Sequence, residues 1–577
     1  MDSRLRGNDV TFGRAAYRKS GGLRYLTNRE AYMKQAGFML MLLLAVRGAA
    51  GQTFPTPGYM RQLAYRPTIA SQVKGPVELQ DHVVEGKLRL TLADAIRLAL
   101  LNNTDVRLNE LPIENARLEV QRTYQPFDPV ATSSFNADRA TTPTYSQLSS
   151  GAPTLSALSQ QATFDYNQTF QTGTNFDVNF SSLKYATNSI YETFNPSIFS
   201  SGALTLTQPL LRNRGFFPNR APIVIARRNL NASRATFTAQ VNDSLLLTIQ
   251  QYLTVVQARE SLVVLKKSVE QAQASYDRDK RALELGAIPP FDIYRSESQV
   301  AARRVQVIQA EYSLKQAEDA FRRVIGADLD PYIRALDLDL TEPVEPRGEL
   351  LTLDIQQAYQ QALERRPELE TLRLQLDNDD TSIRLAHNQL LPNLSLSAFY
   401  TTYGLGGNEY NIATTPPTLV GTGGFVDSLS QMKGFDFPSY GFTVQLQIPV
   451  RNRAAQANLG EAMVSRRRDL YQQRQQTEQL WQEVKNAVHQ VEQAELSIAA
   501  AKVSRDLAQK TLEAEQRKYE LGASQIFFVL DAQTQLAQAE LSLVQAQIGY
   551  QQAVAGVEHA TGTLLENHKV KIEDVAP

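Results

Sequence analysis

Two spacings of apolar residues alternate along this chain. Val300, Val307, Leu314 and Phe321 recur every seven residues, and so do Leu536, Leu543, Tyr550 and Val557. A seven-residue recurrence marks a helix that packs along a coiled-coil seam, because it keeps one stripe of side chains facing a partner. Elsewhere the recurrence is two. In "TFDYNQTFQTGTNFDVNF" (Thr163 to Phe180), Phe164, Tyr166, Phe170, Phe176, Val178 and Phe180 share one parity, while Asp, Asn, Gln and Thr fill most of the other. That alternation predicts strands with one apolar and one polar face. "NLSLSAFY" (Asn393 to Tyr400) and "FTVQLQIP" (Phe442 to Pro449) repeat it.

The seam occurs twice because the sequence does. "RALELGAIPPFDIYRSESQVAARRV" (Arg281 to Val305) and "RKYELGASQIFFVLDAQTQLAQAEL" (Arg517 to Leu541) align without a gap, with Gly286 on Gly522 and Phe291 on Phe527, as far as Gly326 on Gly562. "LTLADAIRLALLNNTDV" (Leu90 to Val106) is echoed by "LTLDIQQAYQQALERRPEL" (Leu351 to Leu369), and "LTLTQPLLRNRG" (Leu204 to Gly215) by "VQLQIPVRNRA" (Val444 to Ala454). Two homologous halves follow, 88–330 and 351–562, joined by a Pro- and acid-rich linker at 331–350 and followed by a tail at 563–577. Each half runs helix, strands (about 128–211 and 393–450), very long helix, turn (285–290 and 521–526) and last helix. The long helices, about Pro222 to Leu285 and Ala454 to Leu521, reach on the order of 95–100 Å. Helices of that length need partners along their course.

The N-terminal part carries an export signal set back from the start. "MKQAGFMLMLLLAVRGAAGQ" (Met33 to Gln52) joins a Lys, a short apolar run and small residues, the make-up of a secretory signal peptide at 33–51. The run is too short to span a bilayer as a helix. Residues 1–32 then read as an extension from an early start codon, or else as a genuine cytoplasmic extension. Residues 52–87 form an N-terminal linker.

Composition narrows the function. Lys+Arg 59 against Asp+Glu 60 leaves a net charge of −1, so no global field draws in nucleic acid. Cys is 0, which removes disulfides, thiolate metal sites, thiol nucleophiles and a lipidated Cys together. The five His are far apart with no ligand spacing, and there is no phosphate-binding or nucleophile-elbow motif. We expect no catalytic, cofactor or metal residues.

In an exported chain, period-two strands fit either a soluble sheet with one wet face or a transmembrane β-barrel. The second is favoured because so few strands cannot bury one another between helices this long. Arg212, Arg214, Arg451 and Arg453 follow the strands, where their stems fit a lipid interface, although solvated helix-start charges fit as well.

Taken in order, the doubled "LTL…A…A" opening, strands, long helix and "ELGA" turn resemble the TolC family of outer-membrane efflux proteins over about Leu88 to Gly562. The resemblance implies a mostly α fold with β: a long α-helical coiled-coil barrel plus transmembrane β-barrel strands, two internal repeats, assembled as a homotrimer in the outer membrane. It implies a passive conduit of a tripartite efflux or type I secretion system, not an enzyme and without a cofactor. Its partners would be a periplasmic adaptor, an inner-membrane transporter and outer-membrane lipids. Leu285, Gly286 and Ala287 with Leu521, Gly522 and Ala523 would be adaptor-docking tips. Asp531 matches a carboxylate that narrows the closed pore, with Phe528 where the family has a second acid. Asp292 and Tyr519 match positions whose polar links hold the pore shut. The family's basic partner is here Ser524, which leaves Arg517 or Arg295 as substitutes. Asp292 and Asp531 also fit as plain helix-start carboxylates.

The span from Pro129 to Pro209 exceeds one hairpin and adds a pair of strands around "QTGT" (Gln171 to Thr174), which fits either a wider barrel or an external hairpin. A periplasmic coiled-coil adaptor or scaffold would share the heptads but not the Phe/Tyr strands. A secreted enzyme lacks any constellation to support it.

Overall fold

The computed structural model describes residues 75–144, 153–286, 289, 291–345, 354–414 and 416–570. The expected extension, the signal peptide, most of the 52–87 linker, Ala287, the "LTL" at 351–353 and the end of the tail lie outside the described residues. In chain order the first half opens with β1 (Val83–Val84), β2 (Lys87–Leu90), α1 (Leu92–Asn102) and α2 (Thr104–Arg122). Four long strands follow, β3 (Val130–Pro143), β4 (Thr154–Thr169), β5 (Asn175–Thr187) and β6 (Phe194–Pro209), then α3 (Phe216–Glu284) and α4 (Asp292–Val324). After β7 (Asp337–Leu340) the second half has α5 (Ile355–Arg365), α6 (Pro367–Gln389), β8 (Asn393–Asn411), β9 (Thr418–Gly421), α7 (Phe425–Gly434), β10 (Phe437–Gln447), α8 (Arg453–Glu520) and α9 (Ile526–Thr561). The order matches the doubled sequence, and local chemistry sets the starts. Thr91 caps α1 in a reciprocal capping box with Asp94, and Asp354 caps α5 by accepting from the Gln356 N–H.

Contacts divide the chain into two units. In the helical unit, Phe237, Val241, Leu245, Ile249 and Tyr252 of α3 pack with Leu88, Leu90, Leu98, Phe321 and Ile333 into the largest core. The segment expected to be a plain linker is partly built into it, because β7 pairs in parallel with β2 from Lys87/Asp337 to Leu90/Leu340. Tyr252 explains the fit: its hydroxyl donates to the Leu90 carbonyl and accepts from the Glu342 N–H, each at 3.3 Å. Burial pushes this phenol up to about 12. A second core joins Leu480, Val484, Val488 and Val491 of α8 to Ala358 and Ala362 of α5 and to Tyr550 and Val557 of α9. Of the expected seam, Val300, Phe321, Leu536, Tyr550 and Val557 are buried, and Val307, Leu314 and Leu543 are half-buried.

The duplication is visible in backbone geometry. Gly286, Gly326, Gly522 and Gly562 all end helices with φ between 71 and 75°, the left-handed region that glycine enters without a Cβ penalty. At α8 the Gly522 N–H donates to the Tyr519 carbonyl and the Ala523 N–H to that of Lys518, the paired bonds of a Schellman turn. Gly326 abuts the end of α1 and Gly562 the end of α5, so each half closes on its own first helix. A Cβ on Gly326 would lie 2.7 Å from Asn102 Cβ, and one on Gly562 would lie 3.2 Å from Arg365 Cβ.

Helices α6 and α8 bring together two buried acids, Asp379 and Asp469. Burial first, then the charge and hydrogen bond of Asp469, raise the pKa of Asp379, while Ser465 and Arg468 act the other way. Arg468 pairs with Asp469 at 2.8 Å and Arg466 with Asp380 at 2.7 Å. No helix among the described residues is long and apolar enough to cross a membrane.

The sheet unit is one antiparallel sheet in the order β10-β8-β6-β5-β4-β3, with β9 on the end of β8. Register pairs Phe164 with Phe180, Phe176 with Leu206, Leu206 with Ala398, and Ala398 with Phe442, so the apolar parity of every strand falls on one face. The other face carries Asp165, Asn167, Asp177, Asn179, Thr205, Ser397 and Thr443. Helix α7 lies against the apolar-parity face where its residues become small: Ser428 Oγ is 2.8 Å from Ser200 Oγ, which is 3.0 Å from Ser182 Oγ. The Thr402 hydroxyl donates to the Met432 carbonyl at 3.0 Å. Gly404 and Gly406 permit this approach, because a Cβ on either would collide with the backbone of Ser428 or Gly424.

Candidate gate and tip residues

Both long helices end in the same way. Leu285 and Leu521, each one residue before a helix-ending glycine, are 85% and 83% exposed. Exposed leucines at matched turns leave an apolar knob on each tip. Gly286 repeats the Gly522 geometry with its N–H on the Leu283 carbonyl.

Beside the second tip, α3 and α8 from opposite halves are linked. The Tyr519 hydroxyl donates to Asp279 Oδ1 at 3.3 Å, and the hydroxyl of Ser296, on α4, donates to Asp279 Oδ2. Arg278 lies with its guanidinium 4.7 Å from the Tyr519 ring centre and its Nε 3.7 Å from Asp279 Oδ1. Burial and then the charge of Asp279 raise the Tyr519 pKa, so the phenol remains the donor. Asp279 itself is only 1% exposed.

Of the two positions expected to carry polar links, Tyr519 makes a hydrogen bond to Asp279, an acceptor the sequence did not single out. Asp292 stands in the first turn of α4 and acts on Tyr519 only through its charge. The cation nearest the link is Arg278, whereas Arg295 lies over the Phe527 ring at 5.4 Å. Ser524 donates to Glu515 at 2.9 Å, and Lys518 pairs with the same carboxylate at 2.6 Å; these bonds hold Glu515 below the usual carboxylate range. A signal for Asp279 was present in the sequence. Ser268, Ala272, Ser275 and Asp279 follow seam spacing and are all buried, so Asp279 is a carboxylate inside a row of small residues.

Further along, Gln533 donates to Ser275 at 3.1 Å and Arg303 to Thr534 Oγ1 at 2.6 Å, which ties α9 to α3 and α4. The opposite side of α9 is open and polar. Phe528, Asp531, Gln535, Gln538, Ser542 and Gln545 recur at steps of three and four and are exposed. Asp531 accepts from Gln535 at 2.7 Å. Phe528 packs edge-on against Phe527, with ring centres 5.4 Å apart.

The family model for outer membrane efflux proteins matches residues 95–327 and 358–563, one match in each half. The chain belongs to the outer membrane efflux protein family. It is an outer membrane efflux channel, a transport conduit, and the reading as a periplasmic adaptor falls. Among solved structures, CusC has a TM-score of 0.59 at 17% identity, covering 86% of this chain and 98% of its own. The CmeC outer membrane channel of Campylobacter jejuni has a TM-score of 0.56 at 16% identity, covering 89% and 93%. The open-state MtrE outer membrane channel of Neisseria gonorrhoeae has a TM-score of 0.56 at 17% identity, covering 86% and 99%. At these identities the likeness is one of fold. A comparison with curated proteins gives no significant sequence match.

Proposed function

We propose that this efflux protein works as a homotrimer whose strands form an outer-membrane barrel and whose helices form a periplasmic wall gated at its tips. Export is passive. A periplasmic adaptor docks on Leu285, Gly286 and Ala287 and on Leu521, Gly522 and Ala523, and couples the conduit to an inner-membrane transporter. The observation that carries the gate is the Tyr519 bond to buried Asp279, which joins long helices of the two halves beside an exposed tip. A link of this kind holds one arrangement of staves and releases another when it breaks.

The open face of α9 suits the lumen. Three copies of Asp531 around an axis would favour cations, and Phe528 makes the same constriction partly apolar. Two full repeats per chain give a threefold assembly a quasi-sixfold ring of similar helices, which accounts for the duplication. Fractionation tests the proposal: recovery from outer-membrane vesicles as a heat-labile trimer supports it, and a soluble monomer refutes it.

A further inference from the structure

The strand pair around "QTGT" raises the question of where the β4–β5 hairpin sits once the sheet closes. Its ladders have no break: β3 pairs with β4 over Val130 to Pro143, β4 with β5 over Ala157 to Thr169, and β5 with β6 over Asn175 to Tyr185. The two open edges are β3 and β10. With six long strands in strict antiparallel order, these edges run in opposite directions, so β10 of one copy meets β3 of the next in the same antiparallel sense as every internal pair.

The faces agree as well. Phe135 pairs with Ala162, which shares a parity with Phe164, and that parity continues across the sheet to Phe442. The hairpin's opposite face holds Asp165 hydrogen-bonded to Asn179, and Asn167 donating to Asp177 at 3.2 Å. A hairpin lying outside the wall would put these carboxylates and amides against lipid or against the apolar belt, where an ionisable group is costly even when it is hydrogen-bonded. Inside the wall they face water.

We propose that β4 and β5 are staves of the barrel, so that three copies close an eighteen-stranded wall through β3–β10 pairing between copies. This rests on the trimeric conduit reading above. With strands about 4.8 Å apart and tilted about 40°, such a wall is about 35 Å across between backbones, within the range that leaves an aqueous channel. The outer-membrane barrel then admits hydrated cargo of polypeptide width, and the limit on cargo size lies at the helical tips.

The absence of cysteine makes the test direct. Thr443→Cys on β10 is combined with Thr132→Cys, Ser134→Cys or Asn136→Cys on β3, all of the polar parity, and each double variant is oxidised in outer-membrane vesicles. Three β3 positions cover the unknown register between copies and guard against one variant that fails to assemble. We expect at least one pair to convert monomer bands to covalent dimer and trimer, and Asn179→Cys with Thr443→Cys to give none. Cross-links through Asn179→Cys and none through β3 would make β5 the edge of the wall, and a cross-link of Ser134→Cys on β3 to Thr205→Cys on β6 within one copy would place the β4–β5 hairpin outside it; either result overturns the proposal. An intact trimer with no cross-link from any pair overturns the edge pairing, whereas a monomeric protein overturns the conduit reading beneath it.

Discussion

Removing one oxygen from Tyr519 should weaken the closed state. Tyr519→Phe keeps the ring under Arg278 and deletes only the hydroxyl that donates to Asp279 at 3.3 Å. A hydrogen bond to a carboxylate contributes about 1.5–3 kcal/mol, and for a half-buried phenol the lower end applies. Three copies in the proposed trimer then sum to about 4–5 kcal/mol, a shift of about a thousandfold in the ratio of open to closed channels at 1.4 kcal/mol per decade. Planar-bilayer recording measures that ratio as the fraction of time at full conductance. Asp279→Asn alone also disturbs Ser296 and Arg278, so the coupling in the double variant isolates the phenol–carboxylate bond. Because the Tyr519 pKa is raised, the bond's contribution is complete below the unfolded value near 10.0 and is lost as pH climbs through the higher folded value. Wild-type open fractions in Tyr519→Phe, or a coupling under about 0.5 kcal/mol, would refute the link as a gate.

Gly326→Ala and Gly562→Ala force the same positive φ on a Cβ, but only the first meets an atom at 2.7 Å. Both should cost about 1–2 kcal/mol of backbone strain and so lower the melting temperature, with Gly326→Ala clearly the worse, and equal losses would contradict the packing at Asn102. Gly522→Pro should abolish recovery of the adaptor with the channel while leaving the trimer assembled, as read by affinity capture alongside native electrophoresis, and wild-type recovery would remove the tip from docking. Asp379→Asn should stabilise the protein at neutral pH by about 1–2 kcal/mol. The raised pKa of Asp379 means that protonation contributes stability below 3.8 and that this is lost as pH rises through the folded value, so the advantage of Asn should vanish in acid melts. Asp531→Asn should reduce cation selectivity in bilayers, and unchanged reversal potentials would remove Asp531 from the lumen.

The long helices, their glycine ends and the strand alternation were legible because each follows from a local rule: a seven-residue seam, a Cβ-free turn, a period of two. Phe291 aligned with Phe527 and Gly286 with Gly522 because the turns that hold them are the same. Partners across the fold were less legible. Tyr519 stood out, but Asp279, its acceptor, lies far upstream on another helix, and only its place in the small-residue row hinted at burial. β7 reads as linker in the sequence because "DLDL" is acidic; its two leucines enter the core while the aspartates face out, which a short period-two stretch beside Pro-rich sequence does not advertise. Helix α7 is hidden for a similar reason, since the glycines that receive it, Gly404 and Gly406, have the composition of a loop although they lie in β8 with the helix across them.

In the proposed gate the row Ser268, Ala272, Ser275 would act as a smooth bearing, held at rest by the Gln533–Ser275 hydrogen bond. Large interlocking side chains would make any shift in helix register climb a series of steric teeth, whereas small ones let α3 slide or roll against its neighbours with little change in packing at each step. Resistance to movement would then be concentrated at Ser275 and at Asp279, at the end of the row, where the Tyr519 and Ser296 hydroxyls converge as the proposed latch. A channel built this way can be stiff at rest and still move easily once the latch is released. Widening the row, as in Ala272→Leu, should jam the movement without touching the latch.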